Sequence, residues 1–248
     1  MIEIIDLVKT FDGNRVLNGV NLTIADNVLM AIIGKSGGGK SVLLKHLIGL
    51  LKPDSGKILV DGTDITTLGS RDMDKVREHL GVLFQGGALF DSINVYDNVA
   101  FPLREKTKLS ESEINDRVIQ ALNDVGLKGM NMKFPAEVSG GMRKRVALAR
   151  TLITEPKIVF FDEPTTGLDP IILSSIHRLI MTTHKKYRFT GVIISHEIPE
   201  IFDVADRIAM LHEGVIVETG TSDEIKNSLN PVVVQFINGG LEGPIAAV

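Results

Sequence analysis

The segment Gly34-Lys35-Ser36-Gly37-Gly38-Gly39-Lys40-Ser41 combines glycines, a lysine and a hydroxyl in the spacing G-x-x-x-x-G-K-[ST]. Glycines let backbone N–H groups close around phosphate oxygens, the lysine bridges the β- and γ-phosphates, and the serine hydroxyl ligates Mg²⁺. The apolar run before the segment predicts a buried strand at 28–33, and the pattern after it predicts a helix from Lys40 to Leu51. A helix start adds a favourable field for an anion. Strand, loop and helix in that order separate a phosphate loop from a glycine-rich turn with a chance lysine.

Ile158-Val159-Phe160-Phe161 reads as a buried strand ending in Asp162 and Glu163. Asp162 is placed to hold Mg²⁺, directly or through water, and Glu163 to act as general base for an attacking water. Neighbouring carboxylates divide these roles, because a metal stabilises one as an anion while the other faces the nucleophile. Taken alone, such a pair is also an ordinary acidic strand end. His196 follows Val192-Ile193-Ile194 through Ser195, where a histidine hydrogen-bonds the γ-phosphate or the water, or is simply structural. Gln85, at a strand end broken by Gly86-Gly87, either touches Mg²⁺ or the water or is a plain polar loop residue. Phe11 either stacks on adenine or joins the core.

Ser139-Gly140-Gly141 opens a helix with a serine N-cap and two residues free of side-chain bulk. It either caps that helix and nothing more, or offers backbone donors to a γ-phosphate. Lys40 and Ser139 fall in different subdomains of the expected organisation, so the second option makes the helix start serve a partner's nucleotide. The run Arg143-Lys144-Arg145 on the same helix reads as a solvated charged face, as does Lys185-Lys186.

With 248 residues, 44% of them hydrophobic, the chain can bury one substantial core and a smaller satellite. A net charge of −4 gives no general attraction to polyanions and no duplex-binding motif is present, so nucleic acid is not expected as a partner. The absence of cysteine rules out disulfides and thiolate-bound zinc, leaving hard, oxygen-bound metals. The N-terminus lacks signal-peptide features, and no apolar run approaches the ~20 residues of a membrane helix, so the chain is expected not to cross a bilayer.

Residues 1–25 alternate around an Asp12-Gly13 turn and predict an antiparallel β subdomain. Strands alternating with helices then predict an α/β core with a mainly parallel sheet over 1–87 and 155–230. A helical subdomain at 88–154 interrupts it, and a C-terminal extension, 231–248, follows. Within the insertion, Ser110-x-x-Glu113 is a capping box opening a helix through Ile114, Val118, Leu122 and Val125.

The order of phosphate loop, Gln85, Ser139-Gly140-Gly141, Asp162-Glu163, Leu168-Asp169 and His196 resembles the ATP-binding subunit of an ABC transporter over residues 1–225. The resemblance implies a P-loop NTPase core, ATP and Mg²⁺ as ligands, and ATP hydrolysis. It also implies a head-to-tail dimer in which each ATP lies between the phosphate loop of one copy and the signature Ser139-Gly140-Gly141 of the other, with Asp169 at the seam. Partners would be a second copy of the chain and a separate transmembrane permease subunit, placing the chain in the cytoplasm, peripheral on the cytoplasmic face of a bacterial inner membrane. Val138 and Met142 stand where the family usually has leucine and glutamine. Together with Phe236-Ile237-Asn238-Gly239-Gly240 and Gly243-Pro244, this variant is similar to the Mla/Mce branch, which moves phospholipids or other hydrophobic molecules. That branch implies further lipid-binding subunits.

The leading expectation is an ATPase that drives phospholipid-like transport by a separate membrane protein, with the helical insertion as docking surface. Competing readings are a non-transport relative with a regulatory or nucleic-acid-linked role, a transporter subunit for another small molecule, and a kinase on the same phosphate loop. Relatives acting on nucleic acid usually carry two cassettes or a long coiled coil, and no sustained heptads occur here. A signature helix has no role in a kinase.

Overall fold

The computed structural model describes residues 1–246, so the last two positions of the extension expected at 231–248 lie outside it. The strands are β1 (Ile2–Phe11), β2 (Asn14–Ile24), β3 (Leu29–Ile33), β4 (Ser55–Val60), β5 (Thr63–Asp64), β6 (Leu80–Leu83), β7 (Ile158–Asp162), β8 (Thr190–Ile194), β9 (Arg207–His212) and β10 (Val215–Gly220). The helices are α1 (Lys40–Leu47), α2 (Ser70–Arg77), α3 (Val95–Lys106), α4 (Glu111–Asp124), α5 (Gly140–Leu152), α6 (Pro170–Tyr187), α7 (Ser222–Lys226) and α8 (Pro231–Asn238). These elements divide into two compact units, Met1–Glu78 with the chain from Phe189 onward, and His79–Arg188.

In the first unit, β1 pairs antiparallel with β2 and β4, and β5 extends β4. Asp12 and Gly13 both take positive φ, 47° and 81°, the geometry that lets a two-residue turn follow the strand twist. Ile2, Ile4 and Leu7 of β1 are buried together with Leu17, Val20, Leu22 and Ile24 of β2, so the alternation in the sequence becomes one apolar face. In the other sheet of this unit, β3 lies between β8 and β9 and is parallel to both, and β10 closes a hairpin on β9. Every residue of β3 and β8 is buried, as for central strands covered on both faces.

Helix α1 ends at Leu47 rather than at the expected Leu51. Gly49 takes a φ of 68°, and the Arg77 guanidinium satisfies the freed carbonyls of Ile48 (3.3 Å) and Gly49 (2.7 Å). In the extension, the buried Gln235 amide donates to the carbonyls of Gly240 (3.1 Å) and Ile245 (2.9 Å) and accepts from the Ile245 N–H (2.7 Å), closing 240–245 into a loop.

In the second unit, β6 and β7 are parallel with Leu80 opposite Ile158 and Leu83 opposite Phe161. Helix α4 starts on the capping box read from the sequence: Glu113 N–H donates to Ser110 Oγ (3.3 Å), and Ser110 N–H to Glu113 Oε2 (2.8 Å). Its buried stripe is Ile114, Val118, Ala121 and Leu122. At its other end Asp124 accepts from Lys186 (2.5 Å), Tyr187 (2.6 Å) and Gln120 (2.8 Å). Burial pushes this carboxyl up, but those hydrogen bonds hold it below its ordinary value. Lys186 is therefore an α4–α6 tie and not merely a solvated charge. On the same unit the Phe90 and Phe101 rings meet in a tilted contact, centroids 4.9 Å apart and planes at 59°, and Phe84, Phe90, Phe101, Met132 and Phe134 all remain exposed. Among the described residues no helix is long and apolar enough to cross a membrane.

Candidate active site

β3 delivers the chain to Gly34, whose φ is 149° and where a Cβ would fall 2.2 Å from the Leu211 carbonyl oxygen. A Cβ on Gly38 would meet Lys35 O at 2.9 Å, and one on Gly39, the left-handed N-cap of α1, would meet Val16 O at 3.0 Å. Only glycine fits this cradle. Lys40 is 4% exposed, its ammonium folded into the loop against the carbonyls of Gly34 (2.7 Å) and Lys35 (2.9 Å). Lys35, Ser36, Gly37 and Ser41 lie at the surface, and Lys35 donates to the carbonyl of Ala246 (2.9 Å). Helix α1 carries no acidic residue in its first turn and has Lys45 and His46 in its last, which leaves its N-terminus attractive to an anion.

β8 runs parallel beside β3 with Ile32 opposite Ile194, and Ser195 N–H donates to Ile32 O (3.2 Å). Gly34 and His196 thus leave the sheet from the same edge, each two residues beyond that pair. His196 is exposed there, while Ser195 beneath it is buried and accepts from the Glu197 N–H (3.0 Å). Phe11 is 39% exposed with Lys9 Nζ 5.4 Å from its ring centroid, which removes the core reading.

In the second unit the parallel register of β6 and β7 brings Gln85 and Glu163 to one edge, two residues beyond the pair Leu83 and Phe161. Asp162 and Glu163 are half-buried. Glu163 takes a φ of 46°, a left-handed conformation costly for a residue with a Cβ, and Thr166 donates to its carboxylate at 3.1 Å. Ser139 is the N-cap of α5, its Oγ accepting from the Met142 N–H. A Cβ on Gly141 would meet Ile172 Cγ2 at 2.6 Å, whereas one on Gly140 would have nothing nearer than 3.8 Å. Gly141 is therefore required by packing, and Gly140 leaves the helix start open. Asp169 caps α6, accepting from Ile171 and Ile172 (both 3.1 Å) ahead of Pro170 at the first position.

The charge run on α5 is not a solvated face. Arg143 donates to Val138 O (2.9 Å), Arg145 to Val125 O (2.6 Å) and Ser175 Oγ (2.5 Å), and the buried Lys144 to Gln85 O. The sequence held a signal for Lys144: it falls on the stripe of Gly141, Leu148 and Thr151, all buried.

One unit thus offers a backbone cradle with a buried ammonium and a hydroxyl. The other offers paired carboxylates, an amide and an open helix start. A glycine cradle with an ammonium is suited to phosphate, and a carboxylate beside an open helix start is suited to activating a water.

The ABC transporter family matches residues 17–166, and the chain belongs to that family of ATPases. It is 47% identical over 244 residues to the probable ribonucleotide transport ATP-binding protein mkl of Mycobacterium tuberculosis, covering 98% of this chain and 68% of that protein. It is 42% identical over 234 residues to the intermembrane phospholipid transport system ATP-binding protein MlaF of Haemophilus influenzae, covering 94% of this chain and 89% of that protein. A solved dimeric ATP-binding cassette in a post-hydrolysis state bound to ADP and Pi matches with a TM-score of 0.81 at 28% identity, covering 90% of this chain and 99% of that one.

Proposed function

We propose that the chain is the ATP-hydrolysing subunit of a lipid transporter, working as a head-to-tail dimer on a separate transmembrane subunit. The observation that carries the lipid assignment is the likeness to MlaF, which extends over 94% of this chain and 89% of that protein. The dimer is supported by the solved dimeric cassette and by the open helix start at Gly140.

In this reading Gly34, Lys35, Ser36, Gly37, Gly38 and Gly39 wrap the phosphates, Lys40 exchanges its carbonyl partners for the β- and γ-phosphate oxygens, and Phe11 stacks on adenine. Ser41, Asp162 and Gln85 are the ligands for Mg²⁺. In this reading the ion would be held largely by phosphate oxygens and water. Bound Mg²⁺ supplies charge neutralisation on the phosphate oxygens. Glu163 takes the proton of the attacking water, and His196 hydrogen-bonds the γ-phosphate. Ser139, Gly140 and Gly141 donate to the γ-phosphate of the partner copy, and Asp169 lies at the dimer seam. Docking on the membrane subunit falls to the helical insertion with its exposed phenylalanines, placing the chain on the cytoplasmic face of a bacterial inner membrane, with further lipid-binding subunits in the assembly.

The likeness to mkl favours a second reading, ribonucleotide transport. Co-purifying the chain with its membrane partner and reconstituting both in vesicles separates the two. ATP-dependent phospholipid transfer that stops with Glu163→Gln is expected, and ribonucleotide movement without lipid transfer would overturn the lipid assignment.

A further inference from the structure

Lys144 is only 8% exposed, and its ammonium donates to the backbone carbonyl of Gln85. Further along the same helix, Arg150 donates to the carbonyls of Gly87 (2.7 Å) and Ala88 (2.8 Å), and Thr151 to that of Val82 (3.3 Å). Between them Ala147 packs under the loop, close enough that a Cβ on Gly87 would come within 3.3 Å of its own. One side of α5 therefore holds the carbonyls of residues 82, 85, 87 and 88. The loop's own closure is the bond from Gly87 N–H to Phe84 O (2.8 Å), and Gly87 and Ala88 both take positive φ, 76° and 47°.

A glutamine carried on such a turn aims its side chain only as well as its backbone is fixed. Holding its carbonyl sets the peptide plane and, with it, the direction of the Cα–Cβ bond. A lysine suits that task because a buried ammonium is held firmly to the acceptors around it.

We infer that Lys144 is a positioning residue that fixes the backbone of Gln85, so that the signature helix and the Gln85 amide move as one body. Arg150 extends the clamp to the residues that follow. The inference rests on the role given to Gln85 above, as a ligand of Mg²⁺ or of the attacking water.

The test is ATP hydrolysis, ATP affinity and Mg²⁺ titration on Lys144→Met, Lys144→Arg, Gln85→Ala and the double variant Lys144→Met with Gln85→Ala. Lys144→Met is expected to lower kcat about tenfold and to raise the Mg²⁺ concentration for half-activation, with ATP affinity changed less than about twofold. Lys144→Arg should recover most of the rate, and the double variant should be no slower than the slower single one. A wild-type rate for Lys144→Met, or losses that multiply in the double variant, would overturn the positioning role while leaving Gln85 in place. A wild-type rate for Gln85→Ala would instead remove the role of Gln85 and the positioning role with it. Should Lys144→Met fail to fold, Lys144→Gln takes its place under the same expectations.

Discussion

The hydroxyl of Ser139 accepts a hydrogen bond from the backbone N–H of Met142 at 3.2 Å. Met142 thus serves the cap through its backbone alone, although its side chain departs from the family's usual glutamine. Ser139→Ala is expected to cost about 1 kcal/mol of stability. Met142→Gln keeps the donor and should change stability by less than ~0.5 kcal/mol. Denaturant unfolding checks both, and a larger loss for Met142→Gln would make the methionine side chain a packing residue.

Gly140 and Gly141 are neighbours with opposite reasons to be glycine. Gly141→Ala drives a Cβ into Ile172 and should destabilise by about 1–3 kcal/mol. Gly140→Ala should fold normally, since its Cβ would make only ordinary contacts with Arg143 and Leu168 at 3.8 Å, and yet weaken hydrolysis if the helix start serves the partner's nucleotide as proposed. The shared site itself is checked by mixing a Lys40→Ala chain with a Ser139→Arg chain. One working site of two should return, and no rescue at any ratio would count against it.

Glu163 joins a strained backbone to the role proposed for its carboxylate. Glu163→Gln should slow hydrolysis at least ~100-fold while ATP still binds. Glu163→Gly should be equally inactive but more stable by about 1 kcal/mol, since glycine accepts the φ of 46° without penalty. Thermal unfolding beside a hydrolysis assay reads the opposite signs, and a less stable glycine variant would show that the side chain's interactions, the bond with Thr166 among them, outweigh the strain.

Burial holds the imidazole of His46 below its ordinary value of 6.5, against the opposing hydrogen bond with Val42 O (2.7 Å), and Nε2 has no hydrogen-bond partner. The folded chain keeps His46 neutral, whereas the unfolded chain takes up a proton as pH falls through 6.5. Its contribution is full above that value and is lost below it, down to the lowered folded value. Melting temperature should fall between about pH 7.5 and about pH 5.5, and fall less in His46→Gln. Equal slopes for the two proteins would remove His46 as the cause.

The phosphate loop was legible because its spacing is a backbone requirement: Gly34 and Gly39 stand where a Cβ would strike Leu211 O and Val16 O. The capping box at Ser110 and the turn at Asp12-Gly13 were legible for the same local reason. Lys144 was legible only through its place on the buried stripe of α5, since a charge in sequence reads as solvent-facing and its contact with the Gln85 carbonyl lies far away in the chain. The end of α1 is not legible in the sequence, because Leu50 and Leu51 continue the apolar pattern while Gly49 and the distant Arg77 stop the helix. The N-cap at Ser139 is legible from its residue type and the helical pattern after it, and its Oγ accepts from the Met142 N–H as such a cap does.

The paired rings of Phe90 and Phe101, with Phe84, Met132 and Phe134 also uncovered, bear on how the protein is made. With the docking proposed above, a chain synthesised in excess of its membrane partner would carry this aromatic surface into the crowded cell. We expect such surplus copies to be cleared by proteases or lost to inclusion bodies, so that abundance follows the partner's synthesis and soluble yield depends on expressing the two together.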